Sequence, residues 1–575
     1  MDFPRSMSFD IEFRNVSFRY EGSDHLAIDE VNIAIAPGEI LLVTGPAGSG
    51  KTTLCSCING LIPHYHEGKL TGDVLVRGYN TRRARIGGLA SLVGLVFQDP
   101  ESQLVTASVA DEVAFGPENL GVPRQDILSR VEEALKVTRL TGYEDRVPHS
   151  LSGGEQQACV IAAIYAMHPD IYVMDEPLAN LDPAGRTQIL RLVVEVAKKR
   201  GKTLLLVEHA LEESLPFADR VIVMNQGRVV RDGTVDQVLA GGDIPFVFTR
   251  PAIVRLADKL GFNPLPMTPE EFHRELISRV ELHRIDSVEI QTQEIPSGKP
   301  IIELAGVTYS YDGSRRALDN VDLTVGEGEF IAILGRNGSG KTTLARHLIG
   351  LLHPDQGKVI VTGKDVSVTP THFLAKEVGF CFQNPNHQLV AFNVRDEIIF
   401  GLKAHDVDPH EYESRVNESL EFVGMLDARE AEIFDLGKGQ KQRLALASVL
   451  ALRPRVLIVD EPTTGQDPYM SQEIFEILKR LNDAGTTVII ITHRIDYAAA
   501  YARRAIVMNS GQVTFDGPIR ALLADLDLIQ ANSLDLPAAT KLSLLLREYG
   551  IPPWLTTYEQ LDAAVTALLE AANAR

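Results

Sequence analysis

Apolar residues recur along this chain in two rhythms. Unbroken runs of four or five, such as Ile40-Leu41-Leu42-Val43, Val93-Gly94-Leu95-Val96, Ile171-Tyr172-Val173-Met174 and Thr203-Leu204-Leu205-Leu206-Val207, have the form of strands buried on both faces. The stretch Ile11-Glu12-Phe13-Arg14-Asn15-Val16-Ser17-Phe18-Arg19-Tyr20 alternates instead, which predicts an edge hairpin with one buried face. Val221-Ile222-Val223-Met224 and Arg228-Val229-Val230, joined by Asn225-Gln226-Gly227, predict a second hairpin. The apolar segment 160–167 reads as the body of a helix that opens at Ser152.

This order then repeats. Phe330-Ile331-Ala332-Ile333-Leu334, Val378-Gly379-Phe380-Cys381-Phe382, Val456-Leu457-Ile458-Val459 and Val488-Ile489-Ile490-Ile491 follow one another as their counterparts do, and a hairpin across Asn509-Ser510-Gly511 closes the series. Each half ends in a tail of two short predicted helices around a Gly/Pro break. The tails match: Pro251-Ala252-Ile253 through Gly261 to Thr268-Pro269 parallels Pro537-Ala538-Ala539 through Gly550 to Thr557-Tyr558. The expected division is 8–245 and 301–525 for two repeated domains, 246–290 and 526–575 for tails that pair the halves, and 291–300 for a linker.

Composition narrows the class. A length of 575 residues requires several cores, and 45% hydrophobic with 23% charged residues suits a soluble globular protein. Net charge of −21 argues against nucleic acid as a partner. Cys55, Cys57, Cys159 and Cys381 are too few and scattered for a disulfide or zinc framework, so a reducing cytoplasm is expected. No apolar run reaches membrane-span length, so any membrane part is expected from other subunits. His64 and His66 read as a loop pair, without a third ligand nearby.

Chemistry enters where the buried runs end. The first phosphate loop, Gly45-Pro46-Ala47-Gly48-Ser49-Gly50-Lys51-Thr52, lies between a strand run and a helix-forming run opening at Thr53. Glycines let backbone N–H groups wrap a phosphate chain, the lysine reaches its β- and γ-phosphates, and the Thr52 hydroxyl suits Mg²⁺. Gly335-Arg336-Asn337-Gly338-Ser339-Gly340-Lys341-Thr342, followed by Thr343, repeats it. Asp175-Glu176 and Asp460-Glu461 end apolar strands, where two carboxylates are costly unless they hold a metal or do acid–base work. Asp175 and Asp460 suit Mg²⁺; Glu176 and Glu461 suit polarising a water. Gln98 and Gln383 end matching strands as candidate Mg²⁺ and water ligands. Ser152-Gly153-Gly154 forms a candidate anion site at a helix start. Tyr20 and Tyr311, at matching places ahead of the two loops, are candidates for stacking on a nucleotide base.

Phosphate loop, strand-end Gln, Leu151-Ser152-Gly153-Gly154-Glu155, strand-end Asp-Glu and a later His209 or His493, in that order and twice over, resemble the ATP-binding-cassette (ABC) ATPases. The resemblance implies an α/β fold of two tandem P-loop NTPase domains. Each would have a RecA-like core, an antiparallel β subdomain and a helical subdomain. It also implies ATP and Mg²⁺ as ligands and head-to-tail pairing of the cassettes. Each ATP would lie between one phosphate loop and the other cassette's signature. Glu176 and Glu461 match the general base, and His209 and His493 the γ-phosphate contact. Asn180-Leu181-Asp182 and Gly465-Gln466-Asp467 match the D-loop. The second signature departs from the pattern as Leu436-Gly437-Lys438-Gly439-Gln440, with Gly437 at the serine position, so the two ATP sites are expected to be unequal.

Gln98-Asp99-Pro100-Glu101-Ser102-Gln103-Leu104-Val105 and the segment from Asp111-Glu112 to Asn119 look like the ATPases of energy-coupling-factor (ECF) importers. So do Asn384 to Val390 and Asp396-Glu397-Ile398-Ile399-Phe400-Gly401 in the second half. Such ATPases drive uptake of vitamins or cobalt and nickel ions. Their partners are a transmembrane coupling subunit and a substrate-binding membrane subunit, and they work peripherally at the cytoplasmic face of the membrane. The rival readings are a fused sugar-importer ATPase and a soluble twin-cassette ATPase acting on ribosomes or DNA.

Overall fold

The computed structural model describes residues 9–179, 181–199, 201–285, 298–311, 313, 316–463 and 466–573. They fall into two compact units, 1–268 and 269–575. In the first unit the strands are β1 (Ile11–Tyr20), β2 (Ile28–Ile35), β3 (Ile40–Thr44), β4 (Gly68–Val76), β5 (Tyr79–Asn80), β6 (Val93–Val96), β7 (Ile171–Asp175), β8 (Thr203–Val207), β9 (Arg220–Asn225) and β10 (Arg228–Thr234). They form a four-stranded sheet of order β2-β1-β4-β5 and a six-stranded sheet of order β10-β9-β3-β8-β7-β6. The first is antiparallel; in the second, β6, β7, β8, β3 and β9 run parallel and β10 is antiparallel.

β3, β7 and β8 are buried at every position because the six-stranded sheet is covered on both faces. Leu41 and Val43 of β3 point into a core with Val16 and Phe18 of the antiparallel sheet and Leu54 of the helix Lys51–Ile58. Ile40 and Leu42 point the other way, onto Leu190 and Val193 of the helix Pro183–Lys199. Cys55, Cys57 and Cys159 are buried within these cores, and none of the four cysteines is paired.

One expectation is corrected here. β1 is an arm of a hairpin with β2, but it lies inside its sheet, bonded to β2 on one side and β4 on the other. Alternation reports a single buried face; it is silent on whether both backbone edges find partners. The predicted hairpins β9–β10 and its repeat do form. Their turns carry positive φ at Gln226 (47°) and Gly227 (79°), and at Ser510 (50°) and Gly511 (84°), which matches strand twist.

The second unit repeats the plan with β11 (Pro300–Ser310), β12 (Arg316–Gly326), β13 (Phe330–Leu334), β14 (Gln356–Val361), β15 (Lys364–Asp365), β16 (Val378–Cys381), β17 (Val456–Asp460), β18 (Thr487–Ile491), β19 (Arg504–Asn509) and β20 (Gln512–Pro518). Its sheets have the orders β12-β11-β14-β15 and β16-β17-β18-β13-β19-β20. Cys381 is buried here beneath the helix Lys438–Leu450, its Sγ 3.9 Å from Ala445 O.

The boundary between the units falls within the first tail. Phe248 and Val254 of that tail are part of the first unit's core, whereas the helix Pro269–Arg279 belongs to the second unit. There it packs on the helix Ala538–Leu545 of the second tail, with Phe272 and Leu276 buried. Ile285 N–H donates to Tyr549 O at 3.0 Å, and a Cβ at the left-handed Gly550 would stand 2.3 Å from Ile285 O. The second tail ends in a sixteen-residue helix, Tyr558–Asn573, longer than the short helix expected. Ile529, Leu536 and Leu544 anchor this tail in the second unit's main core. Linker positions 291–297, Asn180 and Gly465 lie outside the described residues.

Candidate functional sites

Both phosphate loops adopt the backbone that their glycines predict. Gly45, Gly48 and Gly50 have φ of 142°, 74° and 98°, and Gly335, Gly338 and Gly340 have 146°, 75° and 105°. The tightest positions are Gly45 and Gly335, where an added Cβ would stand 2.0 Å from Met224 O and 2.3 Å from Met508 O. Each loop opens a helix, Lys51–Ile58 or Lys341–Leu348, whose first N–H groups and dipole favour an anion. The lysines are buried. Lys51 Nζ donates to Gly45 O at 2.9 Å and Pro46 O at 2.7 Å; Lys341 Nζ donates to Gly335 O and Arg336 O, both at 2.8 Å. Each ammonium thus rests on the rim of its loop. Ala47 and Asn337 complete the loops, and Ser49 Oγ lies 3.5 Å from Lys51 Nζ.

The strand-end acids converge on these loops. Thr52 hydrogen-bonds Asp175, and Thr342 Oγ1 donates to Asp460 Oδ2 at 3.0 Å. Burial pushes both aspartates up to about 6. Glu176 and Glu461 stand in the left-handed region, φ 50° and 46°, one residue before proline. This is a strained conformation that side chains adopt where position matters. Gln98 Nε2 donates to Glu176 Oε2 at 2.7 Å, and His209 Nε2 lies 3.0 Å from Glu176 Oε1. In the second unit His493 Nδ1 lies 2.9 Å from Glu461 Oε1, and Thr492 Oγ1 donates to Glu461 Oε2 at 3.3 Å. Burial pushes the Glu461 carboxyl up, but the His493 ring and Lys341 outweigh it and hold the group below the usual carboxylate range. Gln383 stays exposed. Asp, Glu, Gln and His therefore meet around one point in the first unit, and a narrower set meets in the second. Such a carboxylate–imidazole pair beside a lysine-bearing anion loop can orient and deprotonate a water that attacks a phosphate.

Tyr20 and Tyr311 each bring their hydroxyl 3.2 Å from a loop threonine, Thr53 Oγ1 or Thr343 Oγ1. Tyr311 remains 56% exposed, and its ring is open to a stacking partner. Glu155 reaches back over the first turn of the helix Gly153–Ala166, its Oε2 accepting from both Ser152 N–H and Ser152 Oγ at 2.8 Å. Gly154 follows within the first turn. In the second unit Gln440 Oε1 accepts from Gly437 N–H at 3.0 Å, so the reach-back persists and the hydroxyl is gone. Gly439 lies against Met470 and Gln466, whose nearest atoms would be 2.3 and 3.1 Å from an added Cβ.

The sequence profile of the family described as ABC transporter matches residues 28–179 and 318–464, one match per unit. The chain belongs to this family. A protein of Caldanaerobacter subterraneus subsp. tengcongensis with the provisional name ABC transporter ATP-binding protein is 39% identical, over 93% of this chain and 96% of its own length. One of the same provisional name from Methanosarcina mazei is 38% identical, over 97% and 98%. Among solved structures, CbiO1 of Clostridium perfringens, described as part of the ABC transporter complex CbiONQ, is 33% identical with a TM-score of 0.38. That match covers 41% of this chain and 96% of CbiO1.

As an ABC ATPase with two fused cassettes, the chain binds ATP with Mg²⁺ and hydrolyses it. The residues present fit the cation. Asp175 Oδ1 is buried without a hydrogen-bond partner beside Thr52. No group of three or more His, Cys, Asp or Glu side chains could hold a metal among the described residues. One carboxylate and one hydroxyl per cassette, completed by phosphate oxygens, is the donor set Mg²⁺ takes. Thr52 with Asp175, and Thr342 with Asp460, would hold it; when bound it neutralises charge on the phosphates. His64 is held apart from this chemistry, with Nε2 2.8 Å from Thr81 O.

Two features escaped sequence reasoning. Glu208, directly before His209, is buried, and burial together with the nearby Glu176 charge pushes it up to about 8. The unequal residues before the two histidines, Glu208 and Thr492, were the available signal. Glu112 and Glu397 are likewise buried. Glu112 Oε2 accepts from Val105 N–H and Thr106 N–H at 2.9 Å, and Glu397 Oε2 from Val390 N–H and Ala391 N–H at 2.8 Å.

Proposed function

We propose that the chain energises an ECF-type importer for a vitamin or transition-metal ion, with its cassettes paired head to tail at the cytoplasmic face of the membrane. Glu176 and Glu461 act as general bases, Lys51 and Lys341 neutralise the γ-phosphate, and His209 and His493 contact it. Gln98 and Gln383 serve the water and the cation. Ser152-Gly153-Gly154 and Gly437, Gly439 and Gln440 cap the opposite nucleotide, and Tyr20 and Tyr311 stack on the bases.

The observation that carries the importer reading is the loop after each strand-end glutamine. In both cassettes a buried glutamate spends its carboxylate on holding two backbone N–H groups of that loop, an arrangement that is costly unless loop shape matters. What the loop and the helix after it present is apolar. Val105 and Val390 are each 65% exposed, and Phe115 and Phe400 are 48% and 57% exposed. Exposed apolar side chains repeated at equivalent places suit docking of a protein partner. No helix among the described residues is long and apolar enough to cross a membrane.

Affinity purification from detergent-solubilised membranes should recover a coupling subunit and a substrate-binding subunit. A Val105→Asp, Val390→Asp double variant should lose them while still binding ATP. Recovery of ribosomes, or of a sugar importer's membrane subunits, would overturn the reading.

We also propose that the tails keep the cassettes paired. Because the second tail shares the second unit's core, removing everything after Asp525 would open that core as well; point changes at the helix–helix contact are cleaner. Phe272→Asp with Leu276→Asp should leave ATP binding within about 3-fold and expand the protein in solution scattering, since two buried apolar side chains contribute roughly 3–6 kcal/mol to such docking. An unchanged scattering profile would count against it.

A further inference from the structure

Glu208 carries a buried carboxyl group to which the proposed hydrolysis assigns no part. It is 3% exposed, on the residue that joins β8 to His209. Its Oε1 accepts from Leu178 N–H at 3.0 Å, and its Oε2 from His209 N–H at 3.3 Å. Leu178 lies two residues beyond Glu176 and opens the turn that leads to Leu181 and Asp182. One side chain therefore bridges the backbone after the base and the backbone at the γ-phosphate histidine. A second bridge joins the same two segments: Arg186 Nε donates to Leu181 O at 3.2 Å, and its Nη1 pairs with Glu213 at 3.7 Å.

The second cassette is built otherwise. Thr492 replaces Glu208; its hydroxyl donates to Glu461 and accepts from Arg494 N–H at 3.0 Å. Ser471 and Tyr497 stand where the first cassette has Arg186 and Glu213, and Tyr497 OH donates to Pro468 O at 3.1 Å, further along the chain. A buried acid is an expensive way to hold a turn that elsewhere in the same molecule is held by hydroxyls. Its retention points to a requirement for a two-acceptor side chain at this place.

We propose that Glu208 is a positioning residue of the first cassette: by accepting from Leu178 and His209 together, it locks the Glu176–Ala179 turn to the histidine segment so that the two move as one during hydrolysis. This rests on the assignment of Glu176 as the base of that cassette. It goes beyond it in assigning to one cassette a rigid link between base, histidine and the turn that the other lacks in this form. When His209 is drawn toward a γ-phosphate, the turn follows; a threonine at 208 is too short to reach the Leu178 N–H, so the turn is released and the base is left less well aimed.

The test uses the full chain carrying Glu461→Gln, so that turnover reports the first cassette, with release of labelled phosphate as the readout. Adding Glu208→Thr should lower kcat about tenfold with KM for Mg-ATP within about twofold and the melting temperature nearly unchanged. Adding Glu208→Gln, which keeps one acceptor but turns an NH2 group toward the other backbone N–H, should lower kcat as well, again without a lower melting temperature. Unchanged kcat in Glu208→Thr overturns the proposal. So does an equal kcat loss in both variants accompanied by a lower melting temperature, which marks a packing role only. Turnover that survives Glu176→Gln in the same background overturns the base assignment and this inference with it. A Glu208→Thr failure with Glu176 confirmed strikes the inference alone.

Discussion

Lys341→Ala is expected to abolish ATP hydrolysis by the second cassette and, in the assembled transporter, substrate uptake. Lys341 is 6% exposed, and its ammonium is held by two carbonyls of its own loop, Gly335 O and Arg336 O. It is therefore already desolvated and aimed along the loop that would wrap the phosphates. Charge-assisted hydrogen bonds are each worth about 1.5–3 kcal/mol. Losing two to the transferring phosphoryl group would slow the step by roughly two to four orders of magnitude. Alanine keeps the helix Lys341–Leu348, since it is the best helix former. Phosphate release from purified protein and uptake into proteoliposomes containing the membrane partners are the measurements. Full uptake by the variant would sink the scheme.

Glu461→Gln is expected to remove most of the ATPase activity and Glu176→Gln much less. In the head-to-tail arrangement proposed above, Lys341, Glu461 and His493 work with Ser152, whereas Lys51, Glu176 and His209 face Gly437. The structure shows what the second signature lacks: Gln440 still reaches back to the Gly437 N–H, but there is no hydroxyl to turn toward a γ-phosphate. A hydroxyl on a phosphate oxygen contributes about 1.5–3 kcal/mol, so hydrolysis opposite Gly437 should run roughly 10- to 100-fold slower if the contact tightens in the transition state. The bases differ as well, since Glu461 accepts from the Thr492 hydroxyl while Glu176 is bonded by Gln98. Steady-state turnover of the two single variants decides the matter. Equal losses would show that Gly437 is a tolerated substitution.

The sequence by itself determined the repeat, the two phosphate loops, the strand-end acids, the histidines and the family. These motifs are legible because each is a local requirement. A loop that must pass φ near +140° where an added Cβ would stand 2.0 or 2.3 Å from a carbonyl oxygen admits glycine alone, and a strand buried on both faces admits only apolar residues until it ends. The tertiary structure decided what depends on contacts between distant segments. It placed β1 inside its sheet, because alternation fixes a face but not the second hydrogen-bonded edge. It brought Gln98 and His209 to opposite oxygens of Glu176, although these residues are far apart in the chain. It gave Glu208 a role that no motif marks, because the role is to accept from two backbone N–H groups on separate segments. It also moved the helix Pro269–Arg279 out of the first unit and onto the second tail, since an amphipathic helix encodes an apolar face but leaves open which surface covers it.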